Sequence, residues 1–325
     1  MPTHGGPGPT DAEEETTSSI DAGPGPNRWA HEFARIDGLR YHYVAAGDPA
    51  DPIVVLLHGF PECWYVWHRQ LAPLADAGYR VLAPDLRGYN RTDAPRGLEH
   101  YRIERLVDDV ADLIAHADRD SAAVVGHDWG GLIGWELAGR RPDVLDRLAV
   151  LNAPHPLAYR RALLTGGQLW RSWYVGLFQV PWLPERLLRW HDGALVDRRY
   201  RRTTVRSDAL DPAEVRRFVA AVDDPDRARA AIDYYRAYAR TTLREWVRDA
   251  LPWASGSAPA TARIDVPTLV IWGERDVALV PSLASGLDRW VPDVRVERLP
   301  GAGHLVQADA PERVTSLLIE FLRES

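Results

Sequence analysis

Residues 124–131 have the residue types of a nucleophile held at the top of a sharp turn. An apolar strand runs into GHDWGG at 126–131, the pattern small-x-nucleophile-x-small-small, whose small residues let the strand and the following helix approach closely. An ionised carboxylate at the apex, Asp128, needs no base to become a nucleophile. Because Asp is also a common N-cap, the turn alone leaves Asp128 open between a catalytic nucleophile and a helix cap.

Two further residues follow the last two predicted strands. Asp276 comes shortly after the apolar run 268–272, and His304 follows the strand predicted at 294–299. Catalytic groups in open parallel sheets gather at the carboxyl ends of strands, so both residues would meet Asp128 there. The chain order nucleophile, acid, histidine resembles that of α/β-hydrolases, with Asp276 orienting His304 and His304 activating water. This constellation favours catalysis by Asp128 over helix capping.

The loop HGFP at 58–61 also follows a predicted buried strand, at 53–57. Gly59 allows a tight turn that aims the backbone N–H of Phe60 into the site. With the N–H of Trp129, the residue after the nucleophile, it would form an oxyanion hole. His58 is expected to organise this loop through hydrogen bonds and not to take part in the chemistry.

Strands and helices alternate through the first half of the chain, which predicts a mostly parallel, doubly wound α/β sheet. The first two strands are predicted to form an antiparallel pair. The predicted strands are 31–36, 39–45, 53–57, 80–83, 122–125, 148–151, 268–272 and 294–299. The alternation stops near residue 154, and the chain is then helical in pattern. The sequence therefore predicts a core made of residues 28–153 and 258–325, a helical cap at 154–257 and a disordered tail at 1–27.

Several segments resemble one family. They are similar to epoxide hydrolases of the α/β-hydrolase fold at HGFPE (58–62), PDLRGYNRTDAP (84–95), GHDWGG (126–131) and GAGH (301–304). The resemblance runs from about residue 29 to the C-terminus. It implies an α/β-hydrolase fold with an inserted helical cap, and a reaction in which an epoxide forms an ester with the Asp nucleophile and water then releases a vicinal diol.

The resemblance also implies a pair of cap tyrosines that hold the epoxide oxygen. WYVGLFQ at 173–179 and IDYYR at 232–236 resemble the family's cap motifs and place this pair at Tyr174 and Tyr235. Tyr234 replaces Tyr235 if the register is one residue out. Chemistry supports such a pair, because ring opening leaves an alkoxide, a strong base whose departure needs an acid. Tyrosine has an ordinary pKa of about 10, so its hydroxyl is protonated at pH 7 and can donate a hydrogen bond or a proton to that oxygen.

Dehalogenases of haloalkanes or haloacids are the alternative, since they also combine HGxP with an Asp nucleophile. A halide needs only N–H donors, and the indole of Trp129 could supply one. Phe60, however, lacks the polar side chain that haloalkane dehalogenases place there, and fluoroacetate dehalogenases carry Arg at the position of Trp129. Phe60, Trp129 and the two tyrosines are the expected substrate contacts. A non-catalytic receptor on the same fold is a third hypothesis, because fold does not determine function. An esterase would need a hydroxyl nucleophile, so the carboxylate of Asp128 excludes the usual esterase mechanism.

Composition limits the partners. The 325 residues carry a net charge of −7, which predicts no electrostatic footprint for nucleic acid or an anionic membrane. No apolar run reaches the roughly 18 residues that span a bilayer, and the N-terminus has no secretory signal. The single cysteine, Cys63, leaves no internal disulfide and fits a reduced, cytoplasmic compartment.

The remaining expectations concern ligands and packing. No His/Cys cluster has metal-ligand spacing, so neither a metal nor an organic cofactor is expected. We expect a monomer or homodimer that acts on a small apolar epoxide and water. Six tryptophans of the cap are expected to pack it onto the core, namely Trp170, Trp173, Trp182, Trp190, Trp246 and Trp253. The alternative is that one or two of them line an apolar pocket.

Overall fold

A mostly parallel sheet forms the centre of the molecule. The computed structural model describes residues 29–165, 167–249 and 259–324, so the predicted tail at 1–27 and Trp253 lie outside the described residues. The strands are β1 (Ala30–Ile36), β2 (Leu39–Ala46), β3 (Ile53–Leu57), β4 (Arg80–Pro84), β5 (Ala122–His127), β6 (Leu145–Leu151), β7 (Thr268–Gly273) and β8 (Val294–Leu299). Their order is β1-β2-β4-β3-β5-β6-β7-β8, with β2 antiparallel to β1 and β4 and all other pairs parallel.

Helices cover both faces of this sheet, as the predicted doubly wound class requires. They are α1 (His68–Asp76), α2 (Ile103–His116), α3 (Trp129–Arg140), α11 (Val306–Asp309) and α12 (Pro311–Arg323). Because side chains alternate across a strand, Val55 and Leu57 of β3 join one hydrophobic cluster, whereas Val54 and Leu56 join the other. All five residues of β3 are buried, which explains its unbroken apolar sequence.

The described chain between β6 and β7 is helical and forms the cap. Its helices are α4 (Pro156–Leu164), α5 (Gly167–Arg171), α6 (Trp173–Phe178), α7 (Leu183–Leu188), α8 (Ala194–Thr203), α9 (Pro212–Ala220) and α10 (Pro225–Asp249). Local sequence sets the start of α9, where the Asp211 side chain accepts a hydrogen bond from the Ala213 N–H and the Asp211 N–H donates to Glu214. The long α10 contacts α6 and α7 as well as the core turn before α2, so it ties the cap to the sheet domain.

Two details of the core and one of the cap differ from expectation. β5 continues to His127 and β6 begins at Leu145, beyond the predicted 125 and 148. The exposed Asp146 and half-buried Arg147 concealed the start of β6, because a strand buried on both faces was expected to be apolar throughout. The expected packing of the cap tryptophans is wrong for four, since Trp170, Trp173, Trp182 and Trp190 are exposed. Within the described ranges, no helix has the length and apolar character needed to cross a bilayer.

Candidate active site

Asp128 stands at the apex of the turn between β5 and α3. Its φ of 50° lies in the left-handed region, which is costly for a residue with a side chain and must be held by its surroundings. A Cβ on Gly126 would lie 2.3 Å from the Gly130 carbonyl oxygen, so glycine is required for strand and helix to approach this closely. Within the described chain, the Asp128 side chain makes no capping hydrogen bond to α3. The helix-cap alternative is therefore wrong, and the carboxylate instead contacts the Phe60 N–H and His304.

The three candidate triad residues meet at the carboxyl edge of the sheet. His304 Nδ1 lies 2.7 Å from Asp276 Oδ2, a short hydrogen bond between buried groups. On the other side of the ring, His304 Nε2 faces Asp128 Oδ2 at 3.4 Å. This separation exceeds a normal N–H···O hydrogen bond, so the imidazole contacts the Asp128 carboxylate as a charge partner. The acid thus holds the ring on one side while the other side points at the nucleophile.

The same contacts set the charges of these residues. Burial alone would raise the pKa of Asp128, but His304 and the Arg199 guanidinium lower it well below its usual range. Burial would lower the pKa of His304, yet Asp276 and Asp128 together raise it to about 10. The pKa of Asp276 is also lowered, because His304 and Asn152 outweigh the effect of its burial. At neutral pH the site therefore holds an ionised Asp128 beside an imidazolium.

The loop after β3 supplies a donor to the nucleophile. The Phe60 N–H donates to Asp128 Oδ1 at 2.8 Å. This approach requires a glycine before it, since a Cβ on Gly59 would lie 2.4 Å from the Cβ of Asp128. Trp129 is the first residue of α3, where a backbone N–H has no partner within the helix. The two N–H groups predicted for an oxyanion hole thus lie on the two segments that flank Asp128.

His58 organises this loop, as the sequence predicted. Its Nδ1 donates to the Gly59 carbonyl at 2.9 Å, and its Nε2 accepts from the Leu86 N–H at 2.9 Å. Burial lowers the pKa of His58, and a neutral imidazole is the form that donates at one nitrogen and accepts at the other. Both nitrogens are thereby occupied away from the nucleophile.

A cavity of about 540 Å³ lies over Asp128, at the boundary between core and cap. Tyr174, Tyr235 and Trp129 line it together with mostly apolar side chains. The rings of Tyr174 and Tyr235 lie 5.9 Å apart, and the Tyr235 ring packs edge-on against Trp129 at 5.0 Å. Within the part of the chain that the structure describes, neither tyrosine hydroxyl makes a hydrogen bond. Both are free to donate to a molecule in the cavity.

Tyr234, the alternative to Tyr235, is placed differently. Its side chain is fully buried, and its hydroxyl donates to the Arg87 carbonyl at 2.8 Å. It does not line the cavity. The register that places Tyr235 toward Asp128 is therefore the one that the structure adopts.

The described residues also contain no group of three or more His, Cys, Asp or Glu side chains that could hold a metal ion.

Comparison with known proteins assigns the chain to a family. The family model described as alpha/beta hydrolase fold matches residues 52–311. The chain is 37% identical over 304 residues to epoxide hydrolase 3 of Xenopus tropicalis, which covers 90% of this chain and 78% of the relative. The chain belongs to the epoxide hydrolase family of the α/β-hydrolase fold. An AB hydrolase superfamily protein of Bacillus subtilis is 36% identical over 293 residues, covering 90% of this chain and 97% of that protein.

The likeness extends to solved structures of epoxide hydrolases. A variant of the Bacillus megaterium epoxide hydrolase, solved with a naphthyloxy-propane-1,2-diol product, matches with a TM-score of 0.77 and 27% identity. The match covers 90% of this chain and 100% of the other. Since only a tenth of this chain is left out, the match includes the cap as well as the sheet. The predicted family and fold class are confirmed.

Sequence reasoning missed three polar residues that hold the site of this epoxide hydrolase family member. Asn152 follows β6, donates to Asp276 Oδ2 at 2.7 Å and accepts from the Gly273 N–H at 2.8 Å, so it orients the acid. Its place at the carboxyl end of a strand was a signal that could have identified it.

The other two missed residues are buried and connect loops. Glu62 accepts from the Gly59 N–H at 2.8 Å and lies 3.1 Å from His127 Nδ1. His127 Nε2 in turn lies 2.9 Å from the His304 carbonyl oxygen. This chain of contacts joins the loop after β3, the turn of the nucleophile and the loop of the histidine. No periodicity or spacing in the sequence shows that these residues are neighbours.

Proposed function

We propose that this enzyme hydrolyses an epoxide to a vicinal diol through an ester on Asp128. The ionised carboxylate attacks one ring carbon, the C–O bond of that carbon breaks, and its electron pair stays on the ring oxygen. Tyr174 and Tyr235 donate hydrogen bonds to that oxygen as charge develops on it, and one of them transfers its proton to the oxygen and regains a proton from solvent. Burial raises the pKa of both tyrosines, which keeps the hydroxyls protonated and able to donate.

The second half of the reaction uses His304 as a base. In the resting enzyme, the charges of Asp276 and Asp128 hold the pKa of His304 at about 10. Once Asp128 is an ester it carries no charge, so this part of the stabilisation of the imidazolium is lost and the pKa of His304 falls. The imidazolium then releases its proton to solvent, and the neutral ring takes a proton from a water molecule whose oxygen attacks the ester carbonyl carbon. The N–H groups of Phe60 and Trp129 stabilise the oxyanion. As the oxyanion collapses, the ester C–O bond breaks, the leaving alkoxide takes the proton from His304, and the diol leaves with Asp128 again a carboxylate.

One observation carries the choice of epoxide over halide chemistry. Asp128 shares a cavity with Tyr174 and Tyr235, whose hydroxyls have no hydrogen-bond partner among the described residues. An alkoxide leaving group needs such donors, whereas a halide, a weak base, does not. The side chain of Phe60 adds no donor and packs against the Tyr235 ring at 5.1 Å. The apolar lining favours a small apolar epoxide and water as the reactants.

A substrate screen tests this proposal. An aryloxy-methyl epoxide, which would give a diol like that bound to the Bacillus megaterium enzyme, is incubated with the chain beside matched haloalkanes. We expect diol from the epoxide and no halide release. Halide release without diol from any epoxide contradicts the proposal and supports dehalogenation. Asp128→Asn is the matched control, because it keeps the volume of the side chain while removing the nucleophilic charge.

Compartment and assembly stay predictions. A cytoplasmic location rests on the lone Cys63, which is buried and whose pKa burial raises well above its ordinary value. A monomer or homodimer is expected, and sedimentation velocity distinguishes the two.

A further inference from the structure

Exposed hydrophobic side chains are concentrated in one part of the cap. Of the twelve large hydrophobic residues exposed among the described residues, nine lie between residues 164 and 195. The four tryptophans in this stretch, Trp170, Trp173, Trp182 and Trp190, are 53% to 82% exposed. Single exposed hydrophobic residues are common on proteins, but a concentration of this kind marks an interaction surface.

The helices that carry these residues form a continuous part of the cap. α4, α5, α6, α7 and α8 each contact the next along the chain. We call residues 156–203, from the start of α4 to the end of α8, the tryptophan–arginine segment. It contains nine arginines and three carboxylates, a net charge of +6 in a chain whose total is −7. The whole-chain charge therefore concealed a basic region, and the prediction that no anionic surface would bind rested on that total.

Four arginines of this segment are available to a partner. In the described part of the chain, four exposed arginines have no carboxylate partner, namely Arg161, Arg186, Arg198 and Arg202. The charge of these four arginines is thus not neutralised by a described carboxylate, whereas Arg201 pairs with Asp197. Exposed tryptophan beside exposed arginine is the composition of protein surfaces that lie at a membrane interface, where indole rings sit at the level of the headgroups and guanidinium groups pair with anionic lipid.

The active-site cavity opens at the same segment. Leu164 and Leu169 both line the cavity that contains Asp128, and they are 74% and 56% exposed. Leu243 of α10, also at the cavity, is 60% exposed. An apolar path therefore leads from the exposed surface of the cap to the nucleophile.

We propose that the tryptophan–arginine segment docks the enzyme on an anionic lipid bilayer, from which apolar epoxides enter the cavity. The docking stands on the exposed surface alone, whereas the entry of epoxides also rests on the proposed function. A second copy of the chain fits this surface less well, because a twofold contact would set the exposed, unpaired arginines of one copy against those of the other. The aliphatic side chains between the tryptophans favour acyl chains over nucleic acid, which would use only rings and charge.

Vesicle flotation of the full chain tests the docking. We expect the protein to float with vesicles of phosphatidylcholine and phosphatidylserine and to stay behind with phosphatidylcholine alone. Replacing Trp170, Trp182 and Trp190 with Ser should weaken partition by about 10-fold or more, because the headgroup anchors are lost. Trp173 is kept, since it adjoins Tyr174. Val247→Ser, an exposed apolar residue outside the segment, is the control and should bind like the parent.

A matched pair of charge variants separates local charge from total charge. R186Q/R198Q/R202Q should weaken binding to the anionic vesicles by about 100-fold, following the contribution of each cation near such a surface. R35Q/R96Q/R263Q removes three exposed arginines elsewhere in the chain and should change binding by less than about threefold. Equal losses in the two variants, or no flotation of the parent with anionic vesicles, would overturn the proposal.

Two further measurements keep the outcomes distinct. Turnover of a water-soluble epoxide should be parental in all these variants, whereas turnover of an epoxide dissolved in the vesicles should fall with vesicle binding. Parental turnover without vesicle binding contradicts the docking alone, and vesicle binding without any turnover contradicts the proposed function alone. A concentration-dependent dimer that the tryptophan variant breaks, with no vesicle binding, would identify the segment as an interface between copies and also overturn the proposal.

Discussion

The core and the cap hold their functional groups in different ways. In the core, hydrogen bonds fix each member of the triad: Asp276 accepts from the N–H groups of Ala278 and Leu279 at 2.7 and 2.9 Å besides binding His304. In the cap, ring packing positions Tyr174 and Tyr235, and their hydroxyls have no partner within the described residues.

This difference separates two tasks. The core maintains charges and distances that must be present before substrate arrives, so hydrogen bonds within the protein hold Asp128, Asp276 and the Nδ1 side of His304 in place. The cap keeps donors that only a ligand satisfies, and it places apolar surface toward solvent. Changes in the core should therefore stop a chemical step, whereas changes in the cap should slow ring opening or alter which substrates enter.

The largest effect is expected from His304→Gln in the core. The glutamine cannot take a proton from water, so ester hydrolysis should fall by about three to four orders of magnitude while Asp128 can still be alkylated. Mass spectrometry of the peptide that contains Asp128 should show the added mass of the substrate. An unmodified peptide together with continued diol formation would falsify the covalent scheme.

The next effect concerns the cap tyrosines. Tyr174→Phe or Tyr235→Phe keeps the ring packing and removes one donor to the epoxide oxygen, which should slow alkylation by about 100-fold with little change in ester hydrolysis. The double variant should be much slower than either single one. Tyr234→Phe is the matched control, since it loses only the hydrogen bond to the Arg87 carbonyl and should cost about 1 kcal/mol of unfolding free energy. A parental alkylation rate in the double variant would contradict the assignment of the cap.

The pH dependence of the two steps should also differ. The lowered pKa of Asp128 keeps the nucleophile ionised, so alkylation should be flat from about pH 5 to pH 8. Ester hydrolysis needs neutral His304 and should rise by about tenfold per pH unit until the ring in the ester form has lost its proton. Stopped-flow measurement of both steps tests this, and a parallel rise in both would show that one group controls both.

Raising the pH should lower the stability of the folded protein, although it should speed ester hydrolysis. The folded state raises the pKa of His304 from its ordinary value of 6.5 to about 10, so this contribution is complete below about pH 6.5 and is lost as the pH rises toward 10. The melting temperature of the parent should therefore fall between pH 7 and pH 10 more steeply than that of His304→Gln. Equal slopes would contradict this charge state.

The smallest effect is expected where core and cap meet. Asp309 is buried and accepts from the Gly303 N–H at 2.8 Å and from the Val205 and Arg206 N–H groups at 2.9 and 3.1 Å. Asp309→Asn should lower the free energy of unfolding by about 2 kcal/mol and slow ester hydrolysis by about tenfold or less, because the loop of His304 loosens. The matched control is Asp208→Asn, whose exposed pair with Arg206 should contribute less than about 1 kcal/mol. Equal losses in both variants would show that Asp309 does not connect the two regions.

The sequence predicted the residues whose role is local. Asp128, Asp276 and His304 each follow an apolar strand in a short turn, and parallel strands bring such turns to one edge. Contacts between distant segments could not be predicted, among them Glu62 with His127 and Asp309 with the loop after α8. These depend on how complete elements pack and leave no periodic pattern.

The cap was predicted less well for a related reason. The sequence left Tyr234 and Tyr235 both open, because a shift of one residue turns a different side of α10 toward the cavity and either side carries a tyrosine. The exposure of Trp170 and Trp173 was missed since aromatic residues on short helices were assumed to face the core. Whether a short helix buries its aromatic side depends on its tertiary neighbours and not on its own pattern.

A single turnover in ¹⁸O-labelled water, with enzyme in excess over epoxide, tests the central claim most directly. If Asp128 forms the ester and water attacks its carbonyl carbon, the new oxygen of the diol comes from the carboxylate. We therefore expect unlabelled diol and one ¹⁸O atom in the peptide that contains Asp128, read by mass spectrometry. Labelled diol with an unlabelled peptide would mean that water attacks the epoxide directly and would contradict the role of Asp128 as nucleophile.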